Sequence, residues 1–290
     1  LESRAIRKAD VLSVIEACRA RAHSYERGPA PEQPGIVAEH IVHSYEPGSP
    51  VLNDVSLEAP AGTVTLLAGA SGGGKSTLST ILAGLVEPDS GAVRICGARP
   101  TPGACGMSFQ RPENQLFLNS AYDEIALAPR CAHLDAADVD KAVRHAACLV
   151  GLSDEQLDFY PYALSGGQRR RVAIASVLSI GAKAYLFDEP TAGFDVQGRH
   201  DMHRLVRELA NAGAPVVVVS HDLEEWLAVA DRVALLSCGS MLWQGDAAEV
   251  CCRFELFERA GIKAPENVVL AQALSDALQA SSEAGEDNAH

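Results

Sequence analysis

A chain of 290 residues with a hydrophobic share of 47% has enough apolar surface for one large or two small globular domains. Its formal net charge of -14 leaves no basic stripe to grip a phosphate backbone, so no nucleic-acid partner is expected. No apolar run reaches the roughly 18–20 residues of a membrane span; the longest, "VAIASVLSIGAKAYLF", is broken by Gly181 and Lys183.

Eight cysteines without a C-x-x-C pair point to scattered reduced thiols in a cytosolic protein rather than to a disulfide or zinc framework. The chain opens on Leu1, as an internal segment or a processed product would, and shows no signal-peptide pattern. Residues 5–22 repeat apolar positions at Ile6, Val11, Leu12, Ile15 and Cys18, which predicts an amphipathic helix; "RGPAPEQPG" (Arg27–Gly35) then reads as a linker.

"GTVTLLAGA" (Gly62–Ala70) has the pattern of a buried strand, and "KSTLSTILAGLV" (Lys75–Val86) puts Leu78, Ile81, Leu82 and Leu85 on one helical face. Between them "GASGGGKST" meets the pattern G-x-x-x-x-G-K-S/T at Gly69, Gly74, Lys75 and Ser76. A loop of this kind aims its amides, from Ser71 through Gly72, Gly73 and Gly74 to Thr77, at an anion favoured by the helix dipole. Lys75 is expected to reach the β- and γ-phosphates of a nucleoside triphosphate and Ser76 to ligate Mg²⁺.

A second glycine-bearing helix start lies in "LSGGQ" (Leu164–Gln168), where Ser165, Gly166 and Gly167 expose a hydroxyl and amides ahead of "RRRVAIASVLS", whose Val172, Ala173, Ala175 and Ser176 form a small packing face. One ATP does not readily fill two phosphate cradles of one monomer, so each cradle is expected to close on ATP held by a second subunit. "AYLFDEP" (Ala184–Pro190) reads as an apolar strand ending in Asp188, suited to hold Mg²⁺ through water, and Glu189, suited to orient or deprotonate a water. "APVVVVSHD" (Ala214–Asp222) is another buried strand, ending at His221. Parallel sheets bind ligands at the carboxyl ends of their strands, so His221 is placed to meet the γ-phosphate or the water. His200 and His203 share i,i+3 spacing without a further ligand set and read as a solvated helix face.

With these motifs in order, residues 35 to about 250 resemble the ATPase subunits of ABC transporters. The resemblance implies that Tyr45 in "HSYEPGSPVLNDVSL" stacks on adenine, that Gln110 in "MSFQRPENQ" is the Q-loop glutamine touching Mg²⁺ and water, and that "TAGFD" ending in Asp195 is the D-loop, with Phe194 where leucine is commoner. "LSGGQ", including Gln168, is similar to the signature motif, and His221 to the switch histidine. "FQRPENQLF" and "AYDEIALAP" are similar to the ATPase component of energy-coupling factor transporters, and "RAGIKAPENVVLAQAL" to that family's C-terminal helical region, with Pro265 opening a helix.

The implied fold is a mainly parallel α/β P-loop core, an antiparallel β subdomain before Ser71 and a helical subdomain at about 115–170. Residues 251–279 would form a helical extension and 280–290 a disordered acidic tail. The implied partners are a second ATP-binding subunit and integral membrane subunits at the cytoplasmic face of the membrane, for uptake of a vitamin or transition-metal ion. The segment Arg111–Ala126, with acidic Glu113, Asp123 and Glu124 and apolar Leu116, Phe117 and Tyr122, is expected to dock an arginine-bearing helix of the membrane subunit. The competing readings are another ABC importer ATPase, a soluble iron–sulfur assembly ATPase and a module using ATP as glue. The short gap from Thr77 to Leu164 excludes chromosome-maintenance ATPases, and Glu189 with His221 disfavours a non-hydrolysing module.

Overall fold

A computed structural model describes residues 34–251, 253–266, 268–270 and 272–273; the expected N-terminal helix at 5–22 and the acidic tail lie outside these residues. Strands β1 (Ile36–Glu46), β2 (Ser49–Ala59), β3 (Val64–Ala68), β4 (Ser90–Ile95), β5 (Cys105–Ser108), β6 (Ala184–Asp188), β7 (Val216–Val219), β8 (Arg232–Ser237) and β9 (Ser240–Asp246) form two sheets. The smaller is antiparallel in the order β2-β1-β4; the larger runs β5-β6-β7-β3-β8-β9, with β9 alone antiparallel to its neighbour.

Strands β3, β6 and β7 at the centre of the larger sheet are buried on both faces, which is why they read as nearly unbroken apolar runs. Leu67, Leu186, Val217 and Val219 face a core shared with the small sheet and with helix α1 (Lys75–Leu82). Their neighbours Leu66, Phe187, Val216 and Val218 face the opposite core. Helices α2 (Ala121–Cys131), α3 (Ala136–Leu149), α4 (Gly166–Leu178) and α5 (Val196–Asn211) contribute to that second core. Within the helical region, α4 packs on both α2 and α3.

Two boundaries differ from expectation. The antiparallel subdomain is not complete before Ser71, because β4 returns after the phosphate-loop helix to pair with the second edge of β1. That pairing satisfies backbone groups which β2 alone would leave open. Helix α1 stops at Leu82, and Gly84 at φ 74° turns the chain away. Leu85 is therefore 59% exposed, leaving Leu78, Ile81 and Leu82 as the buried face. At the other end, the carbonyl of Pro265 accepts from the amides of Val268 and Val269, so a helical turn does open there.

Candidate nucleotide site

The phosphate loop follows β3 and is shaped by contacts within the chain. A side chain at Gly69 would meet the Leu236 carbonyl oxygen at 2.0 Å, and one at Gly74 would meet Leu52 Cδ2 at 2.8 Å. No side chain caps α1, so the amides of its first turn remain free for a ligand. Lys75 Nζ donates to the carbonyls of Gly69 (2.8 Å) and Ala70 (2.9 Å), folding the ammonium back over the loop. Burial lowers its pKa against the opposing charges of Glu189 and Asp188. Ser76 is exposed beside it. Tyr45, 65% exposed, brings its hydroxyl within 3.3 Å of Thr77 Oγ1 and so borders the mouth of the loop.

The adjoining strands deliver the acids. Asp188 is buried at the end of β6, and its carboxyl is pushed up by burial and then by the charge of Glu189, with Lys75 pulling the other way. A buried carboxylate with one partly screened cation nearby suits a divalent ion, and the Ser76 hydroxyl is a compatible second donor. Glu189 has φ 48°, a conformation uncommon for a residue with a side chain. It is held from every side: its amide donates to Val219 O (2.8 Å), Oε2 accepts from Ser220 Oγ (3.2 Å), and Oε1 accepts from the His221 amide (3.0 Å). His221 Nδ1 lies 2.6 Å from the same Oε1. Gln110 follows β5, the strand beside β6, and is exposed.

The second cradle is built differently. Ser165 caps α4 in a capping box: its Oγ accepts from the Gln168 amide (3.3 Å), and Gln168 Oε1 accepts from the Ser165 amide (2.9 Å). A side chain at Gly166 or Gly167 would meet nothing within 4 Å. A concavity of about 470 Å³ beside it is lined by Ser165, Gly167, Gln168, Gly193 and Asp195, with neither Lys75 nor Asp188 in its wall.

A family model described as ABC transporter matches residues 52–192. The chain is 38% identical over 254 residues to the energy-coupling factor transporter ATP-binding protein EcfA2 of Symbiobacterium thermophilum, covering 83% of this chain and 88% of that protein. Among solved structures it is similar to cbiO1 of Clostridium perfringens, part of the ABC transporter complex cbiONQ, with TM-score 0.70, 27% identity, and coverage of 83% of this chain and 100% of that one. It is also similar to a dimeric post-hydrolysis ATP-binding cassette bound to ADP and Pi, with TM-score 0.65, 25% identity, and coverage of 73% and 98%. The chain belongs to the ABC transporter ATPases of energy-coupling factor type.

In this ABC ATPase the other motif residues fall as follows. Asp195 caps α5 by accepting from the Gly198 amide at 2.8 Å, and Phe194 packs against the core beneath the signature helix. Gln168 lines the concavity while its Oε1 is engaged in the capping box.

The expected docking segment needs correction. Leu116 is buried in the core, and the carboxylate of Glu124 is buried as well, accepting from the backbone amides of Phe117 and Leu118. An acid early in a helix can latch the preceding turn, and Glu124 does this instead of facing a partner. Phe117 remains 69% exposed, and Asp123 is paired with Ser120 and Arg130. His203 is also not on a solvated face: it is 8% exposed, 3.1 Å from Glu225 and edge-on to Trp226. Residues missed in the sequence include Ser220 and Arg170. Ser220 could have been suspected from the hydroxyl between "VVVV" and His221, whereas Arg170 lies in a run of three arginines that does not single it out. The described cysteines carry free thiols, and burial pushes that of Cys105 up to about 12. No described helix is long and apolar enough to cross a membrane.

Proposed function

We propose that the chain closes head to tail on a second ATP-binding subunit, identical or related, and hydrolyses ATP between them to drive uptake by membrane subunits. Lys75 exchanges the carbonyls of Gly69 and Ala70 for the β- and γ-phosphates, while the amides from Gly72 to Thr77 hold the phosphate oxygens. Tyr45 stacks on the adenine. Ser76, Asp188 and Gln110 are the residues that would hold Mg²⁺, which would supply positive charge to offset the negative charge of the phosphates. Glu189 takes a proton from the water that attacks the γ-phosphorus in line, as the bond to the β-phosphate oxygen breaks. The Ser220 hydroxyl and His221 Nδ1 fix the direction of its carboxylate.

The observation that carries this reading is the open second cradle. Among the described residues, neither backbone strain nor any neighbour requires glycine at positions 166 and 167. A close approach from outside the chain would, and the γ-phosphate of ATP on a partner's phosphate loop fits the Gly166 and Gly167 amides, which lie between the two bonds of the capping box. In this arrangement Ser71 of one subunit lies near Ser165 of the other. With exposed Cys131, Cys148 and Cys238 replaced by serine, Ser71→Cys combined with Ser165→Cys should form ATP-dependent cross-links between chains. A cross-link confined to one chain would overturn the head-to-tail arrangement.

The membrane partner is proposed to meet the face after Gln110, where Phe117 offers an apolar anchor and Glu113, Tyr122 and Asp123 a polar rim for an arginine-bearing cytoplasmic helix. This places the subunit peripherally on the cytoplasmic side. The cargo, a vitamin or a transition-metal ion, is then selected by the membrane protein.

A further inference from the structure

Arg170 occupies the second turn of α4 and is 6% exposed. Its guanidinium serves two loops at once: Nη1 donates to the Ala192 carbonyl, and Nη2 donates to the carbonyls of Glu189 (2.7 Å) and Gln110 (3.3 Å). Glu189 and Ala192 belong to the loop between β6 and α5, and Gln110 to the segment after β5. Phe194 lies under the guanidinium with its ring centroid 5.4 Å away, and Glu113 Oε2 stands 4.0 Å from Nη1. Among the described residues the buried atoms Arg170 Nε and Glu113 Oε2 have no hydrogen-bond partner, and the two charges face one another without a direct hydrogen bond.

A buried arginine that only fills a polar gap needs no such choice of partners. Here two of the three carbonyls belong to residues placed at the water site, and one of them, Glu189, sits at φ 48°. Residues in sparsely populated backbone regions keep their conformation only when the surroundings over-determine it. The amide and carboxylate of Glu189 are tied to β7 and to the residues after it, whereas its carbonyl accepts from the Arg170 guanidinium at 2.7 Å and, at a longer 3.3 Å, from the Ala192 amide. Rotation of that carbonyl would turn the peptide that aims the carboxylate.

We propose that Arg170 is a positioning residue for ATP hydrolysis, which fixes the backbone of Glu189 and Gln110 from the signature helix, with Glu113 as its charge partner. The inference rests on the hydrolytic reading above. It also gives the "RPEN" segment a task inside the chain: Glu113 draws the guanidinium toward the turn that follows Gln110, so a shift of that turn is felt at Glu189. Lysine cannot replace the arginine, because a single ammonium on a thin stem does not present two forked nitrogens to three carbonyls.

The test compares wild type, Glu189→Gln, Arg170→Lys and Glu113→Gln as full chains in their assembled ATPase dimers, at a temperature where all retain the wild-type far-UV circular dichroism. Arg170→Lys should bind ATP within about twofold of wild type while kcat falls about 100-fold, on the scale of losing one preorganised electrostatic contact. Glu113→Gln sits on a partly exposed turn and folds even if Arg170→Lys does not; its kcat should fall several-fold at unchanged KM. Combining it with Arg170→Lys should add little, because both act through one guanidinium. A purely gap-filling arginine would instead lower thermal stability and leave kcat intact in the folded variants. Wild-type turnover in Arg170→Lys, or in Glu113→Gln if the former is unfolded, would overturn the inference alone. Absence of turnover in wild type would overturn the hydrolytic reading and this inference with it.

Discussion

The two glycine-rich cradles look alike as strings of letters and differ in what makes them glycine. At the phosphate loop the chain itself forbids a side chain: Leu236 and Leu52 press against Gly69 and Gly74. At the signature, Gly166 and Gly167 face open space. The first cradle is finished by its own fold; the second, in the proposed head-to-tail pair, would be half of a site completed by another subunit. The contrast separates glycines that answer to folding from glycines that answer to a partner, and it can be pressed experimentally.

The largest effect is expected from Glu189→Gln, which removes the proposed acceptor of the water's proton but leaves both cradles intact. Turnover should drop by about 10³-fold, within the usual range for loss of a general base, with ATP affinity unchanged. Because ATP then persists, the cross-link between Ser71→Cys and Ser165→Cys should gain yield in this background. Near-wild-type turnover would remove Glu189 from its role.

Next comes the paired glycine test. Gly69→Ala drives a methyl group into a backbone oxygen and should cost about 2–3 kcal/mol of stability by chemical denaturation, with loss of nucleotide binding. Gly167→Ala should leave stability unchanged or raise it by up to about 1 kcal/mol, since alanine favours a helix, yet turnover should fall about 100-fold. If Gly167→Ala instead destabilised the isolated subunit, the distinction between the cradles would fail.

The smallest effect concerns pH and sharpens the first cradle. Burial, and then the charge of Glu189, raise the Asp188 carboxyl above the ordinary aspartate range. Mg²⁺-dependent ATP binding needs the ionised form, so it should weaken at a higher pH on acidification than an ordinary aspartate would allow. Mg²⁺-free nucleotide binding should vary less. Stability without ligand runs the other way: a folded-state pKa above the unfolded value adds stability on the acid side that is lost as pH rises through the folded pKa. Titration of nucleotide affinity and of unfolding free energy on one buffer series checks both signs.

Much of this was legible in the sequence because it is local. The strand, loop and helix around Lys75, the acids ending β6 and the histidine following β7 are each announced within a few residues. What the sequence hid depends on distant pairing. The place of β4 beside β1 is set across the intervening phosphate-loop helix. Glu124 looks like a surface acid until the turn of Phe117 and Leu118 is seen folded onto it. His203 is buried because Glu225 and Trp226, from a segment beyond β7, close over α5. Arg170 sits among "RRR", where nothing in the spelling separates the one guanidinium turned inward from its neighbours.

The position of β5 in the sheet has a mechanical consequence. Strands β6 and β7, which lead to Glu189 and His221, are each clamped by neighbours on both sides. Strand β5 is four residues long, lies at the margin and is held by the single ladder to β6. The sheet is therefore stiff under Glu189 and His221 and compliant under Gln110. A push on the segment after β5 would displace the margin first, at the cost of distorting one ladder, while the bed beneath the proposed water site would keep its shape. Force enters where the sheet yields, and chemistry stays where it does not.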